Sequence, residues 1–165
     1  SKFNLMGHSQ GGMTSRYVMS VRPDLVASVT TMATPHQGSP LADIVTDIAP
    51  QGSIQGVLFE SFANTIGNLV NMLSDNKKDQ SDIYSMLGEF NAAGAAQYNA
   101  TFPAGLPSTA CGNGPSQVKI GGHTIKTYSW GGTGHFTGGI DITDPLFAIT
   151  GLVFDGGNDG VTGQC

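Results

Sequence analysis

Residues 7–11 read Gly7-His8-Ser9-Gln10-Gly11, a Gly-x-Ser-x-Gly pattern that can present one serine hydroxyl as a nucleophile. The chemistry this serves is acyl transfer. The hydroxyl attacks a carbonyl, a base takes its proton, and N–H groups at the start of the next helix steady the negative oxygen that forms. Such a serine must sit on a sharp, strained turn between a strand and a helix. Gly7 and Gly11, two residues either side, would relieve the crowding of side chains there. With 24 glycines in 165 residues the pattern can arise by chance, so context decides. Phe3, Leu5 and Met6 give a short apolar strand signal before it, and residues 12–19 read as a helix after it, the order the motif requires.

A serine is inert without a base, and the base needs an acid to orient it. In folds with this turn the chain order is serine, carboxylate, histidine. The carboxylate candidate is Asp159, in Gly156-Gly157-Asn158-Asp159-Gly160 after the apolar run Leu152-Val153-Phe154. A loop at a strand end is where such an acid belongs, although aspartate before glycine also serves ordinary turns. No histidine follows it. His8 adjoins the serine and points to the other side of the turn. His36 follows Thr34-Pro35 in a loop and reads as structural. His123 and His135 precede Asp159 and read as surface loop residues. The missing histidine, together with a chain that opens on the nucleophile strand, leads to the expectation of an internal piece of a larger hydrolase.

The elements that must position these residues read as α/β. Arg22-Pro23-Asp24 stops the first helix, and residues 26–32, rich in β-branched side chains, form a second strand. Strand, helix, strand with short turns predicts a parallel sheet covered on both faces by helices. Residues 34–39 are a loop. In 52–76, Ile54, Val57, Leu58, Phe62, Ile66, Leu69, Val70 and Leu73 recur at helical spacing with few charges. This is either a core helix or a mobile apolar lid over a greasy site. A further helix is predicted over 81–99, a loop over 103–122 and a strand over 124–130. Residues 146–154 could be strand or helix.

Composition limits the alternatives. With 7 Lys+Arg against 12 Asp+Glu and no basic run, nucleic-acid binding is disfavoured. There is no apolar stretch of about 18 residues that would span a membrane. The length suits one domain. Cys111 and Cys165 match no metal spacing; they are either free thiols or a disulfide.

Taken together, several stretches resemble the secreted bacterial true lipases of the Pseudomonas and Burkholderia type, which are α/β-hydrolases. They are Phe3-Asn4-Leu5-Met6-Gly7-His8-Ser9-Gln10-Gly11-Gly12, Arg16-Tyr17-Val18, and Arg22-Pro23-Asp24-Leu25-Val26-Ala27-Ser28-Val29-Thr30-Thr31. Thr34-Pro35-His36-Gln37-Gly38-Ser39, Tyr128-Ser129-Trp130 and Asn158-Asp159-Gly160-Val161 continue in the same order. The resemblance implies one partial α/β-hydrolase domain over 1–165 that cleaves triacylglycerol esters at an oil–water interface. It puts Ser9 at the nucleophile, Asp159 at the triad acid, the Gln10 N–H in the oxyanion hole and 52–76 in the lid. It joins Cys111 to Cys165. Asp141, with Asp144 as rival, falls on a calcium carboxylate whose ion steadies the region bearing the histidine. It also implies export to the medium with the help of a dedicated membrane-anchored folding chaperone. The first strands with the second oxyanion donor would precede Ser1. The histidine, the second calcium carboxylate and the last helices would follow Cys165, so calcium binding by this piece should be weak. Two rival functions stand beside this one: an esterase for short soluble esters, which the apolar 52–76 segment disfavours, and a non-catalytic binding domain of the same fold.

Overall fold

The computed structural model describes residues 1–43, 88–109, 111–134, 144–154 and 156–163. Strand β1 (Phe3–His8) runs into helix α1 (Gln10–Val21) through the single residue Ser9. A 3-10 turn over Pro23–Leu25 leads into β2 (Val26–Met32). Arg22 closes this corner: its guanidinium donates twice to the Asp24 carboxylate, at 2.9 and 2.8 Å. After α2 (Ala92–Thr101), β3 (Gln117–Ile120) and β4 (His123–Trp130) form a hairpin. Helix α3 (Asp144–Thr150) and a 3-10 turn over Gly151–Val153 lead to the last described turn.

The sheet order is β1-β2-β4-β3. β1, β2 and β4 are parallel, in register Gly7 to Thr31 and Thr31 to Ser129, so their C-terminal ends lie side by side. β3 is antiparallel to β4 at the edge. The predicted loop over 103–122 therefore contains a strand. Its signal was local: Val118 and Ile120 alternate with polar residues, and Gly121-Gly122 (φ 54° and 82°) supplies the two left-handed positions of a tight hairpin.

Helix α1 packs one face of this sheet. Its residues Gly12, Met13, Ser15, Arg16 and Met19 are buried, a stripe at helical spacing. Met19, Val26, Val29 and Ile125 form the centre of the core, with Leu5, Val18 and Val118 packed around it. On the opposite face the side chains of Met6, Tyr128 and Trp130 are 70 %, 52 % and 62 % exposed. A second cluster of Met13, Ala42 and Phe90 takes in Tyr98 from α2. The predicted helix over 81–99 is interrupted in its described part. Asn91 turns its side chain back to accept from the Gly94 N–H at 2.7 Å, which starts α2 afresh. The lid segment 52–76 lies outside the described residues, as do His135, Asp141 and Cys165.

Candidate active site

Ser9 has φ 53° and ψ −124°, a conformation that residues with a Cβ rarely adopt. Two contacts hold it there. Its N–H donates to the Met32 carbonyl at 2.9 Å, fastening the turn to the end of β2. Its carbonyl accepts from the Thr34 hydroxyl at 2.9 Å. Serine in the cap position of a helix usually bonds the first free N–H groups with its side chain. Ser9 makes no such bond. The twisted backbone carries the hydroxyl away from capping and leaves it free to react. Gln10 is the first residue of α1, so its N–H has no partner within the helix and lies at the positive end of the helix dipole.

The glycines around Ser9 do different work from one another. A Cβ on Gly7 would collide with the Gly11 carbonyl and stand 2.6 Å from the Gly12 nitrogen, so no other residue fits. Gly11, in contrast to the sequence expectation, has open space where a Cβ would go. The second close approach is at Gly12, where a Cβ would stand 2.8 Å from carbons of the Thr34 side chain.

Asp159 lies in the turn over 156–163, which docks across the C-terminal ends of β2 and β4. The Thr162 hydroxyl donates to the Ala33 carbonyl at 3.3 Å, just past β2. The Asp159 side chain borders Gly132, just past β4: a Cβ there would stand 3.2 Å from the Asp159 Cβ. Ser9 and Asp159 thus occupy the same edge of the parallel sheet, where sites in such folds are built. Asp159 Oδ1 accepts from the N–H groups of Val161 and Thr162 at 3.0 and 2.7 Å. Oδ2 makes no hydrogen bond among the described residues, so one oxygen is anchored and the other is open to a donor. What precedes this turn is not a strand. Residues 144–153 are helical, as suits Asp144-Pro145, an acid and a proline in a first turn.

The described histidines do not complete a relay. His36 is spoken for at both ring nitrogens. The Arg16 guanidinium, always protonated, faces Nδ1 at 3.2 Å, so Nδ1 accepts and Nε2–H donates to the Thr31 hydroxyl at 2.9 Å. Burial first, and then the Arg16 charge, lower its pKa to about 4. His8 is exposed at the end of β1. His123 begins β4, at about 3.3 Å per residue some 23 Å from the strand's far end.

Arg16 is a residue whose role the sequence did not reveal. It is buried at 4 % exposure and donates to Asn99 Oδ1 at 3.0 Å and the Phe102 carbonyl at 2.7 Å, while lying over the Tyr98 ring at 5.1 Å. It ties α1 to α2 and to the loop bearing His36. A cavity of about 560 Å³ opens beside this loop, between Thr34, Leu106, Trp130 and Gly132; neither Ser9 nor Asp159 lines it. Asp144 is buried at the start of α3. Among the described residues no three acidic, histidine or cysteine side chains gather to hold a metal. Cys111 is disulfide-bonded.

A sheet of parallel strands, a strained serine at the mouth of a helix and an acid on the same edge define a class of hydrolase, and a family model described as the alpha/beta hydrolase fold matches residues 1–115. The chain belongs to that family. It is 39 % identical over 164 residues to a triacylglycerol lipase of Vibrio cholerae, covering 99 % of this chain and 51 % of the relative. A triacylglycerol lipase of Burkholderia plantarii is 40 % identical over 195 residues, covering 100 % of this chain and 53 % of that protein. The chain therefore spans about half the length of these curated relatives. Among solved structures, the mature form of the Bacillus licheniformis lipase BlEst2 superposes with a TM-score of 0.53 at 19 % identity, over 98 % of this chain and 50 % of that one, a likeness of fold.

Proposed function

We propose that the full-length protein is a triacylglycerol lipase that cleaves carboxylic esters through a serine acyl-enzyme. Ser9 is the nucleophile, Asp159 the acid, and the Gln10 N–H one oxyanion donor. The base is a histidine from outside residues 1–165. The observation that carries the reading is the strained Ser9, whose hydroxyl forgoes helix capping at the mouth of α1. The substrate class rests on the relatives, which are named triacylglycerol lipases at 31 to 40 % identity.

In this scheme Ser9 Oγ attacks the ester carbonyl carbon as the histidine takes its proton, and the carbonyl oxygen becomes an oxyanion beside the Gln10 N–H. Collapse expels the alcohol, which receives the proton, and water then releases the acid by the same steps in turn. Asp159, anchored through Oδ1, turns Oδ2 towards the histidine N–H and stabilises the imidazolium.

The remaining roles belong to the same proposal. Segment 52–76 is the lid. Cys111 is paired with Cys165, the other cysteine in the chain. Asp141 or Asp144 contributes to a structural calcium site; the described residues do not by themselves supply the six to eight oxygens calcium takes, and no step is routed through it. Export with a folding chaperone completes the reading. No described helix is long and apolar enough to cross a membrane.

The test is turnover of a long-chain triglyceride emulsion and of a short soluble ester by the full-length protein and its Ser9→Ala variant. The expected result is a preference for the emulsion, with turnover by the variant reduced by about 10⁴-fold or more. Undiminished turnover in Ser9→Ala would remove the assignment, and a preference for the short ester would replace lipase by esterase.

A further inference from the structure

We infer that Thr34 is a positioning residue for the oxyanion donor, acting through the Ser9–Gln10 peptide. The inference rests on the proposed role of the Gln10 N–H. The Thr34 hydroxyl is buried and donates to the Ser9 carbonyl oxygen at 2.9 Å. That oxygen and the Gln10 N–H belong to one planar peptide unit. Holding the oxygen therefore fixes where the N–H points.

The rotation that would otherwise be loose is ψ of Ser9, held at −124° in a strained backbone. The Gly12 N–H also donates to the Ser9 oxygen, at 3.0 Å, but Gly12 belongs to the same helix and moves with it. Thr34 comes from the segment after β2, so it ties the donor peptide to the sheet. The sheet edge also holds the acid turn, through Thr162 and the Ala33 carbonyl next to Thr34. Donor and acid are thereby referred to one rigid frame. The absent side chain at Gly12 is what lets Thr34 come this close. A hydrogen bond to an amide oxygen also polarises the amide and strengthens its N–H as a donor. Thr34 touches no reacting atom.

The test compares Thr34→Val with wild type in the full-length protein, using a p-nitrophenyl ester. Loss of a direct oxyanion donor costs about 10²–10³ in kcat, so loss of its support should cost about tenfold. KM should stay within about twofold, since the interaction serves the transition state. A boronic acid that forms a tetrahedral adduct on the active serine should bind more weakly by the same factor as kcat/KM falls. General loosening of the fold would not produce that match. Thr34→Ser and Thr34→Ala differ only in the hydroxyl and should show the same ratio, which keeps the test open if Thr34→Val folds poorly. Full kcat in Thr34→Val, or Thr34→Ser as slow as Thr34→Ala, overturns the inference. If Ser9→Ala is inactive and Thr34→Val is not slowed, this inference alone fails. If Ser9→Ala remains active, the underlying reading fails.

Discussion

The turn that carries Ser9 and the turn that carries Asp159 share one sheet edge, yet they are held by different forces. Around Ser9 the chain is fixed by close backbone approach: strained dihedrals, a glycine that nothing can replace, and carbonyls shared between strand and helix. Around Asp159 it is fixed by side chains bonding to backbone. Asn158 donates to the Gly151 and Gly156 carbonyls and accepts from the Gly160 N–H, Asp159 accepts from Val161 and Thr162, and Ser39 donates to the Val161 carbonyl from across the sheet edge. A nucleophile that must be projected at one angle suits the first device. An acid that must hold one oxygen fixed and offer the other suits the second.

The largest expected effect comes from changing the acid while keeping its turn. Asp159→Asn retains Oδ1 and so retains both backbone bonds, but it puts an NH₂ where the histidine N–H should be accepted. In the proposed enzyme kcat should fall about 10⁴-fold with little change in the unfolding midpoint, because the wrong histidine tautomer is then favoured. A loss of only a few-fold would remove Asp159 from the relay and return it to being a turn aspartate.

The glycines give the next largest effect and set the two devices against each other. Gly7→Ala drives a methyl into the Gly11 carbonyl and the Gly12 nitrogen, backbone atoms that cannot swing aside. It should destabilise the full-length protein by about 3 kcal/mol and abolish activity, as expected when a tight turn is forced apart. Gly11→Ala meets nothing and should change stability by less than about 1 kcal/mol in the same denaturation experiment, since alanine suits a helix better than glycine. Equal costs at the two sites would show that the turn is looser than the close contacts imply.

How much of this was readable in the sequence follows from the same difference. The serine turn is written in neighbouring residues, so its strand, its helix and the next strand at 26–32 emerged as the periodicity predicted. Asp159 could be singled out only as a turn aspartate: its carboxylate is anchored within the turn, but the docking of that turn at the sheet edge depends on contacts such as Thr162 with the Ala33 carbonyl, distant in sequence. Thr34 was hidden in a stretch read as loop for the same reason: its hydroxyl meets Ser9 across 25 positions. Arg16 falls inside the helix predicted over 12–19 with nothing local to mark it as buried, and its partners are Asn99 of α2 and the carbonyl of Phe102 just past that helix. The hairpin strand β3 was lost for a different reason. Four residues between Pro/Gly/Ser-rich stretches carry little periodic signal, and the Gly121-Gly122 turn was the stronger cue.

The buried Arg16–His36 pair links the two regions, since it braces the loop between Thr34 and Ser39, and it yields the smallest of these effects at neutral pH and a substantial one in acid. His36 is held neutral, with its pKa lowered to about 4 from an ordinary 6.5 by burial and by the charge of Arg16. The unfolded chain takes up a proton on this ring below about pH 6.5, whereas the folded protein does so only near pH 4. Folding is thus favoured above 6.5 and loses stability as the pH falls through that window. The difference amounts to about 3 kcal/mol once both states are protonated. Once protonated, the ring can no longer accept from Arg16, and two cations then face each other in a buried space beside the loop that supports the Ser9 carbonyl. Chemical denaturation between pH 7 and pH 4 should show this loss in the wild type. His36→Gln, which keeps a donor and an acceptor but does not titrate, should lower stability at pH 7 and flatten its dependence on pH. If both proteins lose stability in parallel, the acid sensitivity lies elsewhere, and the brace between the two turns does not depend on a neutral His36.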